Sequence, residues 1–215
     1  MSANLNPEKA LIFRIVHCDN LPWIFDHGLH ARNGTLYDPN YRNIGNPDLI
    51  DKRSRRVVPI PPGGTLSDYV PFYFTPFSMM MYNIKTGYGG IRHVPNNEIA
   101  ILVSSLHRVK ELGIPFVFTD QHAYLATAGY YSELTELNNI DWPLLQSRDF
   151  KHDPDNDPGK TDRYQAEALI WKALPLDGLL AICCHNETAR SAVQASVDER
   201  QLALRVQTQS NWYFQ

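Results

Sequence analysis

Short apolar runs alternate with polar, Gly-rich and Pro-rich stretches along the chain. Runs typical of buried strands are ALIFRIVH from residue 10, YVPFYFTPF from 69, NEIAILVS from 97, PFVFT from 115 and LLAICC from 179. Helical periodicity is clearest over 187–201, and shorter helices are predicted from Asp19 or Asn20 to Gly28 and over 106–112. LALRVQTQSNWYFQ predicts a closing strand. The pattern favours an α+β fold with short central strands and flanking helices.

Three segments are less regular. Residues 31–47 predict a long loop or lid, a kind of segment that often carries function. KHDPDNDPGKTDR predicts a surface loop, whereas RYQAEALIW, over 163–171, fits either the end of a strand or a helix. No internal repeat is present in the sequence.

Composition narrows the class of protein. With 215 residues, 43% of them hydrophobic and 20% charged, the sequence predicts one globular domain over 1–215. No apolar run approaches the roughly 20 residues needed to cross a membrane, and the polar start does not resemble a signal peptide, so a cytoplasmic protein is expected. Cys18 and the CysCysHis run from Cys183 offer neither a disulfide framework nor paired zinc ligands, so no metal is expected.

A net charge of -3 gives no overall attraction to a polyanion, so any nucleic-acid contact must come from a local patch. One basic cluster contains Lys52, Arg53, Arg55 and Arg56. Arginine suits phosphate because its planar fork donates two parallel hydrogen bonds. The alternative for this cluster is a solvated charged face. The nearby PPGGT is not a phosphate-binding Walker loop, because it lacks the Lys and the Ser or Thr that should follow.

Two further residues are candidates for chemistry. Glu167 stands in an apolar run directly after a polar loop, so its carboxylate either faces a cleft or lies on the surface side of an amphipathic element. In a cleft it needs a hydrogen-bond donor, for which Arg163 and Gln165 are the expected candidates. His122 follows the strand PFVFT, where a histidine can move a proton near neutral pH or play a structural part.

Aromatic residues are concentrated between Tyr69 and Tyr82, with Met79, Met80 and Met81 among them. Aromatic side chains near basic ones can stack on the bases of a single strand, although core packing is the alternative for most of them. Arg14 and His17, on the first predicted strand, form a weaker pair because their spacing places them on different faces of a strand.

Several segments together resemble the DarT family, the DNA ADP-ribosyltransferase toxins of toxin–antitoxin pairs. The resemblance runs in order through nearly the whole chain and departs at SMMMY, where the family more often has Pro after Ser. The segments that carry it are RIVHCDNLPWIFDHGL, IDKR, GGTLSDYVPFYFTPFSMMMYNI, IPFVFTDQHAY, IDWPLLQSRDF, RYQAEALIW and the closing NWYF.

The resemblance implies an ADP-ribosyltransferase fold, with a split mixed sheet that binds NAD+ in its cleft. By position, Glu167 matches the family's catalytic glutamate, Arg53 its arginine that holds the NAD+ phosphates, and His122 a histidine that places the substrate. Arg14, His17 and Asn20 fall in the family's first NAD-binding strand and turn. The expected DNA contacts are Met80, Tyr73, Arg148, Arg163, Arg55 and Arg56.

The implied reaction transfers ADP-ribose from NAD+ to a base in single-stranded DNA, sequence-specifically, with release of nicotinamide and a block to replication. The base is thymine in the branch that this sequence most resembles, and a guanine-modifying branch also exists. The implied partner is an antitoxin with ADP-ribosyl-glycohydrolase activity in a macrodomain, and no membrane partner is expected. Two alternatives stay open: an NAD glycohydrolase or protein ADP-ribosyltransferase of the same fold, and a non-catalytic module that binds single-stranded nucleic acid.

Overall fold

The computed structural model describes residues 5–215. Its strands are β1 (Leu11–His17), β2 (Leu29–His30), β3 (Tyr69–Tyr73), β4 (Ile99–Ser105), β5 (Phe116–Thr119), β6 (Tyr130–Tyr131), β7 (Glu167–Trp171), β8 (Ala173–Leu174), β9 (Ala181–Cys184) and β10 (Val206–Thr208). Its α-helices are α1 (Leu21–His27), α2 (Pro47–Arg53), α3 (Met79–Thr86), α4 (Leu106–Glu111), α5 (Trp142–Ser147), α6 (Lys160–Arg163) and α7 (Glu187–Glu199). Among the described residues, no helix is both long and apolar enough to span a bilayer.

Eight strands form a mixed sheet in the order β10-β9-β4-β1-β3-β7-β5-β6, and β2 pairs with β8 separately. Only the β9 and β10 pair is parallel among the described strands. Strand β1 pairs with β4 along its whole length, but it pairs with β3 at one register position, Phe13 opposite Tyr73. The sheet therefore opens between β1 and β3, which confirms the split mixed sheet of the predicted α+β fold.

Alternation along the strands divides the core between the two faces of the sheet. In β7, Ala168 and Ile170 join the main hydrophobic cluster, whereas Leu169 joins a smaller one. The smaller cluster comprises Val58, Leu66, Tyr69, Val117, Ala123 and Leu169. Glu167 has the same parity as Leu169, so it faces the side of the sheet that the segments 57–66 and 120–125 cover.

Side-chain caps define several helix starts. The Asn46 side chain accepts hydrogen bonds from the backbone N–H groups of Asp48 and Leu49, and Pro47 occupies the first turn of α2, where it leaves no helical N–H unpaired. Ser78 and Asn186 cap α3 and α7 in the same way. Helix α1 ends at Gly28, whose φ of 80° and ψ of -167° form a conformation open mainly to glycine.

The predicted strands, the helix that ends at Gly28 and the C-terminal helix are present. The basic cluster begins inside helix α2, which the cap at Asn46 and Pro47 starts before Asp48. The ambiguous RYQAEALIW becomes strand β7 from Glu167 onward. Only Val206–Thr208 of the closing segment is strand, since Ser210–Trp212 forms a 3-10 turn.

Candidate active site

Glu167 is the first residue of β7, and its side chain is only 2% exposed. Arg53 Nη1 donates to Glu167 Oε2 at 2.8 Å, and the backbone N–H of Ala123 donates to Glu167 Oε1 at 3.1 Å. The alternative of a surface-facing carboxylate is therefore wrong. A buried carboxylate is stable only where donors compensate for the lost water, and here each oxygen has one.

Arg53 reaches Glu167 from the last residue of α2. Its side chain is 12% exposed, unlike Arg55 two residues later, which is 81% exposed. The basic cluster therefore divides: Arg53 turns into the protein, while Arg55 faces solvent beside Asp51. The prediction of a solvated charged face holds for Arg55 and fails for Arg53.

His122 lies on the other side of the same carboxylate. Its Nδ1 lies 3.3 Å from Glu167 Oε1 and 3.2 Å from the backbone N of Tyr124. A protonated Nδ1 donates to the carboxylate, whereas an unprotonated Nδ1 accepts from Tyr124. The backbone N–H of His122 donates to the carbonyl of Asp162 at 3.0 Å, which ties this loop to α6.

Thr119, at the end of β5, orients both the glutamate and the histidine loop. Its hydroxyl accepts a hydrogen bond from the backbone N–H of Glu167 at 3.2 Å and donates to the carbonyl of Gln121 at 2.6 Å. Tyr130 adds a second tie, because its hydroxyl donates to the carbonyl of Ala123 at 2.6 Å. Since Thr119 and Tyr130 hold the segment on either side of His122, strands β5 and β6 fix the Ala123 donor to Glu167.

Tyr73 pairs with Glu167 across β3 and β7, so the two side chains leave the sheet on the same face. Burial raises the pKa of the Tyr73 hydroxyl, and the negative charge of Glu167 raises it further, against the opposing charges of Arg53 and Arg14. Tyr73 therefore stays protonated near neutral pH and can serve the site as a hydrogen-bond donor.

Three arginines around this centre have buried nitrogens without a hydrogen-bond partner among the described residues: Arg53 Nη2, Arg14 Nε and Arg56 Nε. Buried donors are normally satisfied, so unused ones at a cleft indicate a missing acceptor. Arg14 uses its Nη1 on the carbonyl of Pro71 at 2.8 Å, beside the opening between β1 and β3. These donors suit an anionic ligand such as a diphosphate. Within 5–215, no group of three or more His, Cys, Asp or Glu could hold a metal ion.

The other predicted NAD-binding residues lie at the end of β1 and in the turn after it. His17 is buried, and its Nε2 lies 3.2 Å from Glu98 Oε2. The amide of Asn20 holds the backbone of Arg42 with two hydrogen bonds of 3.0 Å and 2.8 Å, and the Arg42 side chain also pairs with Asp19. Asn20 thereby anchors the long loop that the sequence predicts as a lid. Their contact with NAD+ stays a prediction.

The residues predicted to contact DNA differ in their burial and in the partners that they already have. The Arg163 guanidinium donates twice to Asp157, at 3.1 Å and 2.7 Å, and once to Asp141 at 3.1 Å. The exposed Arg148 stacks on Phe77, with its guanidinium carbon 3.8 Å from the ring centroid. Met80 lies half-buried on α3 against the main core. For all of these residues, contact with DNA stays a prediction.

The expectation that Arg163 or Gln165 supplies the donor to Glu167 is wrong. Arg163 is held by Asp141 and Asp157, and Gln165 Nε2 donates to the carbonyl of Thr161 at 3.2 Å. The donor roles of Ala123 and the positioning roles of Thr119 and Tyr130 escaped the sequence analysis. Thr119 and Ala123 lie close to His122 in TDQHAY, which is a signal in the sequence, although a backbone donor leaves no mark on residue type.

A cleft of about 640 Å³ adjoins this centre. Its walls are the basic segment on either side of Arg53 and the segment after Ala123. Arg56 connects the walls, because its Nη2 donates to the carbonyl of Leu125 at 2.7 Å. The residues that line the cleft are Lys52, Arg55, Arg56, Tyr124, Leu125 and Ala126.

Comparisons with known proteins show which family the chain is similar to. Residues 13–214 match the family model described as "ssDNA thymidine ADP-ribosyltransferase, DarT". The chain is 55% identical, over 213 residues, to a DNA ADP-ribosyl transferase of Escherichia coli O127:H6 (strain E2348/69 / EPEC), and the alignment covers 99% of this chain and 97% of that protein.

Solved structures of a Thermus sp. 2.9 DarT are similar over the whole fold. The complex with ADP-ribosylated ssDNA matches with a TM-score of 0.89 at 34% sequence identity, and covers 100% of both chains. The complex with NAD+ matches with a TM-score of 0.82 at the same 34% identity, again over 100% of both chains.

Proposed function

The chain belongs to the DarT family of ssDNA thymidine ADP-ribosyltransferases, and from this membership we propose that Glu167, Arg53 and His122 form its reaction centre. The enzyme is an NAD+-dependent DNA ADP-ribosyltransferase. The observation that carries the proposed centre is the buried carboxylate of Glu167, to which Arg53 donates at 2.8 Å and beside which His122 lies at 3.3 Å.

Glu167 supplies the negative charge that the reaction requires. NAD+, when bound, supplies an ADP-ribosyl group whose anomeric carbon gains positive charge as nicotinamide departs. A carboxylate fixed in a water-poor site stabilises such charge more strongly than one in water, because the site does not have to reorganise. Arg53 and the Ala123 N–H hold the two oxygens and so fix the direction in which the remaining lone pairs point.

Arg53 acts in positioning and in binding. Nη1 of its guanidinium donates to Glu167. Nη2 is buried without a partner among the described residues, so it can donate to an acceptor on a ligand. Arg53, with Arg14 nearby, would hold the diphosphate of NAD+ through these unused donors. Because the same guanidinium touches the carboxylate, it sets the distance between bound phosphate and Glu167.

The proton on the attacking nitrogen of thymine must leave as the new bond to the ribose carbon forms and the bond to nicotinamide breaks. Glu167 and His122 lie together at the centre, and both a carboxylate and an imidazole can act as a proton acceptor. We assign His122 to placing the substrate base and Glu167 to accepting the proton, because two donors hold the carboxylate in a fixed direction.

Single-stranded DNA is the substrate that supplies this base, since an unpaired thymine avoids most of the cost of leaving a duplex. We propose further that the enzyme modifies thymine within a preferred sequence, blocks replication as a toxin, acts in the cytoplasm where DNA and NAD+ occur together, and is opposed by an antitoxin whose macrodomain removes ADP-ribose. The family membership supports these roles. We also propose that residues 1–215 act as one catalytic domain.

The centre is tested by incubating the protein with NAD+ and single-stranded oligonucleotides that contain or lack thymine, followed by mass spectrometry of the DNA. We expect an ADP-ribose-sized gain on thymine-containing strands alone, and its loss with Glu167→Gln. A guanine-containing, thymine-free strand tests the other branch of the family.

Each alternative predicts a different result. Consumption of NAD+ with unmodified DNA would indicate a glycohydrolase, and label on added protein would indicate a protein-modifying enzyme. Binding of the oligonucleotide without use of NAD+ would indicate a non-catalytic module. A fully active Glu167→Gln variant would remove Glu167 from the centre.

A further inference from the structure

On both walls of the cleft, a lining residue is the neighbour in sequence of a residue that donates to Glu167. On one wall, Arg53 contacts Glu167 and the neighbouring Lys52 lines the cleft. On the other wall, Ala123 donates to Glu167 and the neighbouring Tyr124 lines the cleft. A molecule that occupies the cleft therefore lies against residues bonded directly to the two that donate to Glu167.

The first wall is cationic, and its side chains can still bind an anionic ligand. Lys52, Arg55 and Arg56 line it, and the ion pair of Arg55 with Asp51 at 3.2 Å is exposed on both sides. Exposed pairs of this kind are weak, so Arg55 can exchange its carboxylate for a phosphate at little cost. Arg56 carries a buried Nε without a partner among the described residues, so it also retains an unused donor.

The opposite wall offers an aromatic surface. Tyr124 is 37% exposed, and its backbone N–H lies 3.2 Å from His122 Nδ1. Its neighbours in the cleft, Leu125 and Ala126, carry no charge. The loop that bears Tyr124 is fixed by the bond from Arg56 to Leu125 and by the bond from Tyr130 to Ala123. An exposed ring on a fixed backbone loses little conformational entropy when a planar group stacks on it.

We propose that this cleft binds one nucleotide of the DNA strand next to the target thymine, with its base stacked on Tyr124 and its phosphate on Lys52 and Arg55. A nucleotide pairs a phosphate with a planar base, and the cleft pairs a cationic wall with an aromatic one. The inference deepens the proposed DNA chemistry and rests on it. It assigns Tyr124 as a residue that helps to set sequence context around the modified base.

The same chemistry is present in the adenosine half of NAD+, so the test must separate the two sources. The DNA source is favoured because Lys52 and Arg55 face solvent, where a long strand can continue beyond the site. The buried unused donors of Arg53 and Arg14 provide a separate place for the diphosphate of NAD+.

The experiment measures KM for DNA and for NAD+ with Tyr124→Ala and Tyr124→Phe, on oligonucleotides that carry an abasic position on either side of the target thymine. We expect Tyr124→Ala to raise the KM for intact DNA by about 5-fold to 150-fold, the range for one lost base stack. Tyr124→Phe keeps the ring, so its KM for DNA should stay close to that of the unchanged protein. The KM for NAD+ should stay constant in both variants.

The abasic strands supply the decisive comparison. With the unchanged protein, one of the two flanking abasic positions should raise the KM for DNA as much as Tyr124→Ala raises it for the intact strand. The same abasic position should have little additional effect on the KM of the Tyr124→Ala variant. Lys52→Gln and Arg55→Gln should each lower the salt dependence of DNA binding by about 0.7 in log–log slope per lost phosphate contact. Arg205→Gln, which removes an exposed charge outside the cleft, should leave the slope unchanged.

Two results would overturn the inference. A higher KM for NAD+ with an unchanged KM for DNA would assign the cleft to adenosine, and equal losses at every abasic position in both proteins would exclude stacking on Tyr124. The unchanged protein must modify the intact strand in the same assay. Failure there would contradict the proposed function itself, and is thereby distinguished from failure of the cleft assignment.

Discussion

Arg53 and Glu167 are joined by a 2.8 Å hydrogen bond between Nη1 and Oε2, although 114 positions separate them in the sequence. Both side chains are largely withdrawn from water, at 12% and 2% exposure. The pair therefore connects the end of α2 to the start of β7 inside the protein. Loss of either partner leaves the other with an uncompensated desolvation cost.

Replacement of Glu167 by Gln keeps the volume of the side chain and removes its charge. We expect DNA modification to fall by at least about 100-fold, because both electrostatic stabilisation and proton acceptance are lost. Single-turnover mass spectrometry of the oligonucleotide measures the effect. Glu111→Gln, at an exposed carboxylate paired with Arg108, is the matched control and should retain the rate.

The pairing of Arg53 with Glu167 is tested by a double-mutant cycle. Arg53→Ala should destabilise the protein by about 3–5 kcal/mol, since it leaves a buried carboxylate without its partner. Adding Glu167→Gln to Arg53→Ala should recover part of that loss, while activity stays absent in all three variants. Urea denaturation gives the free energies of unfolding. Strict additivity of the two substitutions would show that the contact contributes no coupling.

Arg163 and Arg55 were both predicted to contact DNA, but only Arg55 lines the cleft. Arg163 is neutralised by Asp141 and Asp157, so Arg163→Gln should affect stability more than the salt dependence of DNA binding. Arg55→Gln should affect the salt dependence of DNA binding more than it affects stability. Fluorescence titration of a labelled strand at several salt concentrations, paired with thermal melts, measures both. A large change of salt slope with Arg163→Gln alone would restore Arg163 as a phosphate contact.

Stability at low pH depends on Asp68. Burial acts to raise the pKa of its carboxyl, but hydrogen bonds from Lys172 and Thr65 prevail and lower the pKa to about 2. Because the unfolded value is higher, the stabilisation is present above about pH 4 and is lost as the pH falls toward 2. Asp68→Asn should cost about 1–2 kcal/mol at pH 7, after allowance for the exposed Lys172, and much less near pH 2. Denaturation series at both pH values supply the comparison, and a pH-independent difference would exclude this charge effect.

Much of the fold follows from local sequence patterns. Apolar runs identify the strands because a strand of four to seven residues, buried on both faces, has few alternatives. The order of the strands does not follow from those patterns. The single register position between Phe13 and Tyr73 opens the sheet, and it depends on packing on both sides of β1.

The sequence likewise identifies some residues of the site but not the contacts between them. Glu167 and His122 could be found because a polar residue at the end of an apolar strand is unusual, and resemblance to the family gave Arg53. The partners of Glu167 could not be read correctly: neighbours in sequence such as Arg163 are directed elsewhere, and the donor at Ala123 is a backbone N–H. A hydrogen bond that spans more than a hundred positions is a property of the finished sheet.

The position of β1 in the middle of the sheet has a consequence for synthesis on the ribosome. This first strand must wait for β4 before it is paired along its length, and Arg53 must wait for Glu167. Folds dominated by such distant pairings form slowly compared with helical ones. A nascent chain that ends before β7 has no assembled centre, so the enzyme has no activity in a cell until β7 has been synthesised and has paired with β3.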